Sequence, residues 1–284
     1  MKKIVVPCDF SKPAINAFRF ALDLALQSKG SIDLVHVIEL PIIPDGVVMP
    51  VLNFEENYLE ELREKTQSRL DKLINRYNTS NIKVKTNVVF GSVNLMLLDY
   101  IKDNGADIVV MGSHGASGLR EVFIGSNAEK IVRKSTAPVL VIKNFYKGPI
   151  KHIVFPNNLN TEHQDELVAR VKALQAFFKA SIHVVKVNTP LNFQSDTTTQ
   201  KQLEAFVKQH KLRDYTINIF NSQTEELGIL EFSKQVGADL IAMGTRGNSG
   251  LYHLLVGSGT EDIVNHGDKL IWTYSMQNDP VPAH

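Results

Sequence analysis

Residues 105–132 read GADIVVMGSHGASGLREVFIGSNAEKIV, and residues 237–264 read GADLIAMGTRGNSGLYHLLVGSGTEDIV. The two stretches start 132 positions apart and are identical at 14 of their 28 positions. Each opens with an apolar run typical of a buried strand and breaks into a glycine-rich turn before a helical segment. Glycines let the backbone approach an anion closely, and a helix N-terminus adds N–H donors and a favourable dipole. The repeat therefore predicts two anion-binding turns, one in each half of the chain.

The repeat extends well beyond these turns. KIVVP at residues 3–7 is echoed by KHIVFP at residues 151–156, and apolar runs alternate with amphipathic segments through both halves. Such alternation predicts right-handed crossovers and a mostly parallel sheet that is covered on both faces. We therefore predict an α/β protein with two tandem, doubly wound, mostly parallel five-stranded sheets, in domains 1–146 and 147–284.

Local signals predict further features of this fold. Ser11 is expected to cap the first helix, and Gly30 to end it. Residues 39–53 contain three prolines and many apolar side chains, so we expect a long loop that closes over a ligand or packs on the neighbouring domain. The strands at residues 139–141 and 271–273 would each leave an open sheet edge, and we expect them to pair with one another.

Composition excludes several classes of function. Lys and Arg total 31 against 30 Asp and Glu, and a net charge of +1 argues against a dedicated nucleic-acid-binding protein. No stretch approaches the roughly 20 apolar residues of a membrane span. The apolar run at the N-terminus ends at Pro7 and is too short for a signal peptide. These features predict a soluble, cytoplasmic protein with no nucleic-acid or membrane partner.

Cysteine and histidine offer little metal or redox chemistry. Cys8 is the single cysteine, so an internal disulfide and a cysteine-based zinc cluster are excluded. Two interpretations of Cys8 stay open, a redox-sensitive thiol beside Asp9 and a small buried apolar residue, and the second is favoured. The histidines show no spacing that suggests a metal site, and none is predicted.

The glycine pattern resembles a known signature. Gly112-x-x-Gly115, nine residues and Gly125-Ser126 are similar to the ATP-binding motif of the universal stress protein family. PCDFS at residues 7–11, HV at residues 36–37 and APVLV at residues 137–141 resemble that family's first turn, second-strand end and last strand. The resemblance covers nearly the whole chain as two tandem copies, and it implies an adenine-nucleotide alpha-hydrolase-like, Rossmann-like fold.

The resemblance implies a nucleotide site in the first half and assigns a role to each matching position. Pro7 and Asp9 would lie at the nucleoside end, and Val37 would offer its backbone to adenine. Met111 and Gly112 would line the cleft. The ribose and phosphates would be held by Gly115, Gly125, Ser126 and Asn127. The implied ligand is ATP, or else AMP or ADP, with Mg²⁺ or Mn²⁺ held through the phosphates.

The second half departs from this pattern at its first turn. Asn158 stands where the first half has Asp9. A carboxylate can accept hydrogen bonds from two ribose hydroxyls, whereas an amide offers one uncharged oxygen. The first half is therefore expected to hold the main site. A possible second site would comprise Asn158, Val187, Gly244, Gly247, Gly257 and Ser258.

Three functions remain open on the sequence. The leading one is an adenine-nucleotide-binding stress-response protein that acts as a nucleotide-dependent regulator or sensor, with a protein partner that the sequence does not identify. The chain would form an intramolecular pseudo-dimer, and a further homodimer is left open. The alternative is a nucleotide-free tandem scaffold that binds a protein partner. An adenylate-forming ligase is the third, but it would need a substrate domain for which this chain has no room.

Enzymatic turnover has little support in the residues. The chain has no G-x-x-x-x-G-K-[ST] motif of a Walker-type ATPase, and no G-x-G-x-x-G motif of a dehydrogenase follows the first strand. A G-x-S-x-G hydrolase elbow is missing as well. No general base or nucleophile stands out in the glycine motifs. We therefore predict binding, with slow ATP hydrolysis at most and no catalytic residue.

Overall fold

The computed structural model describes residues 1–39, 56–113, 125–159, 164–245 and 269–275. In the first half, five strands alternate with four helices: β1 (Lys3–Pro7), α1 (Lys12–Ser28), β2 (Ser31–Ile38), α2 (Glu56–Tyr77), β3 (Val84–Phe90), α3 (Val93–Asp103), β4 (Ile108–Gly112), α4 (Ser126–Lys134) and β5 (Val139–Ile142). The described part of the second half repeats this order as far as its fourth strand and resumes at the fifth: β6 (His152–Pro156), α5 (Asp165–Phe178), β7 (Ser181–Asn188), α6 (Asp196–Gln209), β8 (Tyr215–Asn221), α7 (Glu225–Gln235), β9 (Leu240–Gly244) and β10 (Leu270–Tyr274).

The strands form one ten-stranded sheet in the order β3-β2-β1-β4-β5-β10-β9-β6-β7-β8. Within each half the pairing is parallel throughout, as the β-α alternation predicts. The two five-stranded units predicted from the sequence are thus present. They are joined edge to edge in a single sheet.

The junction between the halves is an antiparallel pair of strands. Val139, Leu140 and Val141 of β5 lie opposite Thr273, Trp272 and Ile271 of β10. Side chains reinforce the junction, because Thr273 Oγ1 donates to the Val139 carbonyl at 3.3 Å. Ser275 Oγ donates to the Arg133 carbonyl near the end of α4 at 3.0 Å. The expected pairing of the two last strands is confirmed.

Both faces of the sheet are covered, so the central strands are apolar at consecutive positions. Ile4 and Val6 of β1 belong to one core cluster and Val5 to the other, and all three are fully buried. Each cluster also contains residues of the second half, including Trp272 in one and Ile241 in the other. The two halves therefore share their cores on both faces of the sheet.

Helix α1 begins as the sequence predicts and ends differently. Ser11 caps it, since its side chain accepts from the Ala14 N–H at 3.3 Å. The left-handed residue at its end is Lys29, with φ of 51°, and Gly30 donates back to the Ala25 carbonyl. A Cβ on Gly30 would lie 2.7 Å from the Lys2 carbonyl oxygen. The prediction that Gly30 ends the helix is wrong in this respect, because the glycine serves a close approach to the N-terminal strand.

Two predicted features lie largely or wholly outside the described residues. The loop at residues 39–53 is described only at Glu39, so its proposed closure stays a prediction. The helical segment predicted after the second glycine-rich turn lies outside the described residues. Of the helices that the structure describes, none has the length and apolar character needed to cross a membrane.

Trp272 tests the shared core. Its side chain is 2% exposed at the strand that joins the halves, so Trp272→Ala should lower the free energy of unfolding by about 3–5 kcal/mol. Because the cluster spans both halves, urea unfolding followed by circular dichroism should stay a single transition at a lower midpoint. Leu191→Ala is the control, since Leu191 is 94% exposed and should change stability by less than about 0.5 kcal/mol. A two-step transition in the wild-type chain would contradict a common core.

Candidate functional site

A cleft of about 480 Å³ opens at the carboxyl ends of β1, β2 and β4, against the N-terminus of α4. β1 pairs with β2 on one side and with β4 on the other. The chain order reverses at this point, which is where parallel α/β sheets place their ligands. The residues predicted from the sequence that line the cleft are Pro7, Asp9, Val37, Met111, Gly112, Gly125, Ser126 and Asn127. Gly115 lies outside the described residues.

The cleft also contains residues that the sequence argument did not select. Ala14 of α1 and Val93 and Leu97 of α3 supply apolar walls, and His36 and Glu39 lie beside Val37. The helical residues carry no motif that separates a cleft wall from an ordinary core face. The sequence did contain a signal that could have pointed to His36, because this residue belongs to the HV pair that resembles the end of the family's second strand.

The turn between β1 and α1, which contains Asp9 and Phe10, has an unusual backbone conformation. Phe10 adopts a left-handed conformation with φ of 65°, which costs a residue with a Cβ about 1–2 kcal/mol. Asp9 Oδ1 accepts from the Ser11 N–H at 2.9 Å. The Phe10 ring lies 4.9 Å from the His36 ring, centroid to centroid, and the Arg69 guanidinium lies 3.8 Å from the Phe10 centroid. Asp9 is exposed at the rim of the cleft in this arrangement.

Cys8 is a buried residue of this turn. Its side chain is 3% exposed, and burial raises the pKa of the thiol to about 11. A thiol with that pKa is almost entirely protonated near neutral pH and is a poor nucleophile. Of the two interpretations left open by the sequence, the structure favours a small buried apolar residue.

Gly112 has a packing role in addition to its place in the cleft. A Cβ at this position would lie 2.7 Å from the Pro13 carbonyl carbon and 2.8 Å from the Ala14 nitrogen. Only glycine allows β4 to end this close to the first turn of α1. That approach places the end of β4 beside the start of the helix that follows the Asp9 turn.

The N-terminus of α4 also lines the cleft. Gly125 is the cap residue, with extended backbone and no side-chain capping bond, and its N–H donates to the Ser113 carbonyl at 2.7 Å. Ser126 and Asn127 follow and are exposed. Asn127 Oδ1 accepts from Asn94 Nδ2 at 2.9 Å, which ties α4 to α3. The first-turn N–H groups and the Ser126 hydroxyl are the donors that an anion at this end would meet.

The equivalent turn of the second half keeps the backbone shape but changes the side chains. Leu159 has φ of 64°, close to that of Phe10. Asn157 Oδ1 accepts from the Leu159 N–H at 2.7 Å, and Asn157 Nδ2 donates to Gln164 Oε1 at 2.7 Å. Gln164 Nε2 also donates to Asn158 Oδ1 at 3.2 Å. The amide that replaces Asp9 is therefore already engaged by a neighbouring side chain.

Gln164 stands where the first cleft has a methyl group. Counted back from the left-handed residues Lys29 and Lys179, which follow α1 and α5, Gln164 matches Ala14. Ala14 lines the first cleft, whereas the longer Gln164 side chain is buried against the second turn. The second half thus places more side-chain volume beside its first turn.

Helix α7 also approaches strand β7 closely. A Cβ on Gly228 would lie 2.5 Å from Val187 Cγ1. Val187 is 5% exposed, whereas the matching Val37 is half-buried and lines the first cleft. Of the possible second site, Gly244 lies at the end of β9, and Gly247, Gly257 and Ser258 lie outside the described residues. Among the residues that are described, no group of three His, Cys, Asp or Glu is placed to hold a metal ion.

Sequence comparison matches the two halves to one family. The profile of the "Universal stress protein family" fits residues 1–143 and again residues 149–272. Universal stress protein MJ0577 of Methanocaldococcus jannaschii is 30% identical over 153 residues, which are 50% of this chain and 94% of that protein. Universal stress protein G of Salmonella typhimurium is 32% identical over 147 residues, which are 50% of this chain and 99% of that protein.

A solved structure resembles the chain over both halves. A universal stress protein from Archaeoglobus fulgidus DSM 4304 covers 96% of this chain and 96% of its own, with a TM-score of 0.69 and 18% identity. At this identity the likeness concerns the fold alone. The tandem arrangement of two such halves therefore recurs in that protein.

Cys8 provides a test of the buried turn. With its pKa near 11 rather than 9.0, the thiolate fraction near pH 8 is roughly a hundredfold lower than for an ordinary thiol. A chromogenic disulfide reagent should therefore react with the native protein far more slowly than with the same chain in guanidinium chloride. Because Cys8 is the single cysteine, the release of one equivalent reports on it directly. Rapid stoichiometric labelling of the native protein would restore the redox interpretation.

Gly112 provides a test of the close approach. Gly112→Ala should lower the free energy of unfolding by about 1–3 kcal/mol, because the new methyl group meets backbone atoms that have little room to move. Gly105→Asn is the control, since Gly105 has φ of 58° with no atom within 4 Å of an added Cβ, and asparagine tolerates this conformation. Urea unfolding of the two variants should rank Gly112→Ala as the more damaging. Equal midpoints would argue against the steric explanation.

Proposed function

This chain belongs to the universal stress protein family, and we propose that its first cleft binds an adenine nucleotide whose occupancy regulates the protein in the stress response. The proposal rests on where the structure puts the residues of the motif. Eight residues that the motif resemblance assigns to nucleotide binding come from four separate segments of the chain and line a single cleft. The cleft volume of about 480 Å³ lies within the range of small-molecule sites.

The cleft combines three kinds of surface that suit a nucleotide. Asp9 presents a carboxylate, which can accept hydrogen bonds from ribose hydroxyls. The N-terminus of α4 presents N–H groups and a favourable dipole for phosphate oxygens. Val93 and Leu97 provide apolar surface for the faces of a base. Mg²⁺ or Mn²⁺ would be held through the phosphates, in line with the coordination that nucleotide-bound magnesium prefers.

We place the main site in the first half. Gln164 fills the second turn where the first has Ala14, and Gly228 lets α7 cover Val187. Asn158 offers one uncharged oxygen, and that oxygen already accepts from Gln164. A nucleotide in the second half would have to displace these contacts, so its affinity there is expected to be lower.

Titration calorimetry with ATP tests this assignment. Asp9→Asn should lower ATP affinity roughly 5- to 30-fold, because a charge-assisted bond of about 1–2 kcal/mol is lost. The amide can still accept from the Ser11 N–H, so the turn should fold. Gly125→Val should remove most of the affinity, since a branched side chain would stand where the phosphates approach the backbone. Asn158→Ala is the matched control in the second half and should change ATP affinity by less than about twofold.

Two results would overturn the proposal in different ways. A loss of binding in Asn158→Ala with none in Asp9→Asn would move the main site to the second half. If the wild-type protein binds no adenine nucleotide, the chain is better described as a nucleotide-free tandem scaffold for a protein partner.

A further inference from the structure

The carbonyl of Cys8 marks the place where the chain leaves the sheet. The ladder of β1 with β2 extends one residue past Pro7, because the Cys8 N–H donates to the Val35 carbonyl at 2.8 Å. Beyond that bond the chain turns away, and the buried Cys8 carbonyl needs a partner from elsewhere. His36 provides it, with Nδ1 at 2.6 Å from the Cys8 oxygen. Since a carbonyl only accepts, Nδ1 carries the hydrogen and the imidazole tautomer is fixed.

His36 contacts the turn at a second point, on the far side of Asp9. Its ring lies 4.9 Å from the Phe10 ring, and the Arg69 guanidinium lies over the Phe10 ring, 3.8 Å from its centroid. Phe10 is the residue held at φ of 65°. Asp9 therefore lies between one residue bonded to His36 and another packed on it. A strained turn persists only where its surroundings fix it, and His36 fixes both of its flanks.

The equivalent turn of the second half is also held by neighbouring side chains, but these side chains differ from those of the first half. Lys186 occupies the strand position of His36, immediately before Val187. There Asn157 and Gln164 hold the turn through side-chain amides, and Leu159 keeps the same left-handed φ. The first half has no amide at these positions, since Cys8 and Ala14 replace Asn157 and Gln164. Its turn is held from β2 by an imidazole.

We propose that His36 is a positioning residue of the first cleft, which sets the affinity for the nucleoside part of the ligand by holding Asp9 in place. This inference rests on the proposed function, because it concerns the same site. The charged and titratable groups around the imidazole are Cys8, Asp9 and Arg69. Burial, aided by Arg69, lowers the pKa of His36, so the ring is neutral near neutral pH. His36 acts through Asp9 and need not touch the nucleotide itself.

The side-chain chemistry supplies a matched set of variants. Asparagine places an N–H donor near the position of Nδ1, glutamine places it near Nε2, and leucine has no donor. ATP titration calorimetry should show a loss of affinity of roughly tenfold for His36→Leu and a similar loss for His36→Gln. His36→Asn should recover to within about threefold of the wild type. Thermal unfolding of each variant identifies any that fails to fold. If His36→Leu does not fold, the comparison of His36→Asn with His36→Gln still tests the inference.

A double-mutant cycle separates positioning of Asp9 from a general structural effect. If His36 acts through the Asp9 carboxylate, His36→Leu should cost less than about threefold when Asp9 is already Asn. Equal losses in both backgrounds, or equal affinities for His36→Asn and His36→Gln, would overturn the inference. A His36→Leu variant that binds ATP as tightly as the wild type would also overturn the inference, while leaving the proposed function intact. A wild-type protein that binds no ATP would instead overturn the proposed function.

Discussion

The backbone hydrogen bonds between β5 and β10 are the constraint on which the rest of this structure depends. Each five-stranded half ends in an apolar strand, and an open edge of that kind exposes unpaired N–H and C=O groups. Pairing Leu140 with Trp272 satisfies both edges at once and extends one sheet through the whole chain. It also aligns the two faces of the halves, which explains why each core cluster contains residues of both. The cleft of the first half lies within this sheet, at the carboxyl ends of β1, β2 and β4.

Within that sheet, the two halves hold the same backbone with different side chains. Phe10 and Leu159 have nearly the same left-handed φ, although neither is a residue that prefers it. One turn is stabilised by an imidazole from the neighbouring strand and the other by two amides from its own segment. The backbone shape is therefore the shared requirement, and the side chains around it differ in how much room they leave. Ala14 and Val37 leave a cleft open in the first half, whereas Gln164 and the close approach of Gly228 cover the matching surfaces in the second.

The sequence predicted the parts of this structure that depend on local pattern. Apolar runs such as residues 108–111 identified the strands, and the internal repeat identified the two halves. The open edges of the last strands predicted that these strands pair. Apart from that pairing, contacts between distant segments could not be predicted in the same way. Gly30 was expected to end α1, but its reason is the Lys2 carbonyl, which is distant in sequence. The Asn158 substitution was visible, while the side chain that engages it, Gln164, became evident only when the helix was placed against the turn. The first-half site residues could be named because they resemble a motif, and whether they bind a nucleotide stays a prediction.

The antiparallel junction lies within one polypeptide. This affects how the pairing depends on protein concentration and how freely the two halves can differ in sequence. Two separate subunits joined by such short strands would separate on dilution, whereas covalent linkage keeps the partner edge at a high effective concentration. Identical subunits would also carry the same residues in both clefts. A fused chain is free of that restriction, so one copy can keep Ala14 and Asp9 while the other acquires Gln164 and Asn158. The junction thus allows one molecule to combine two halves with unlike first turns in fixed one-to-one proportion.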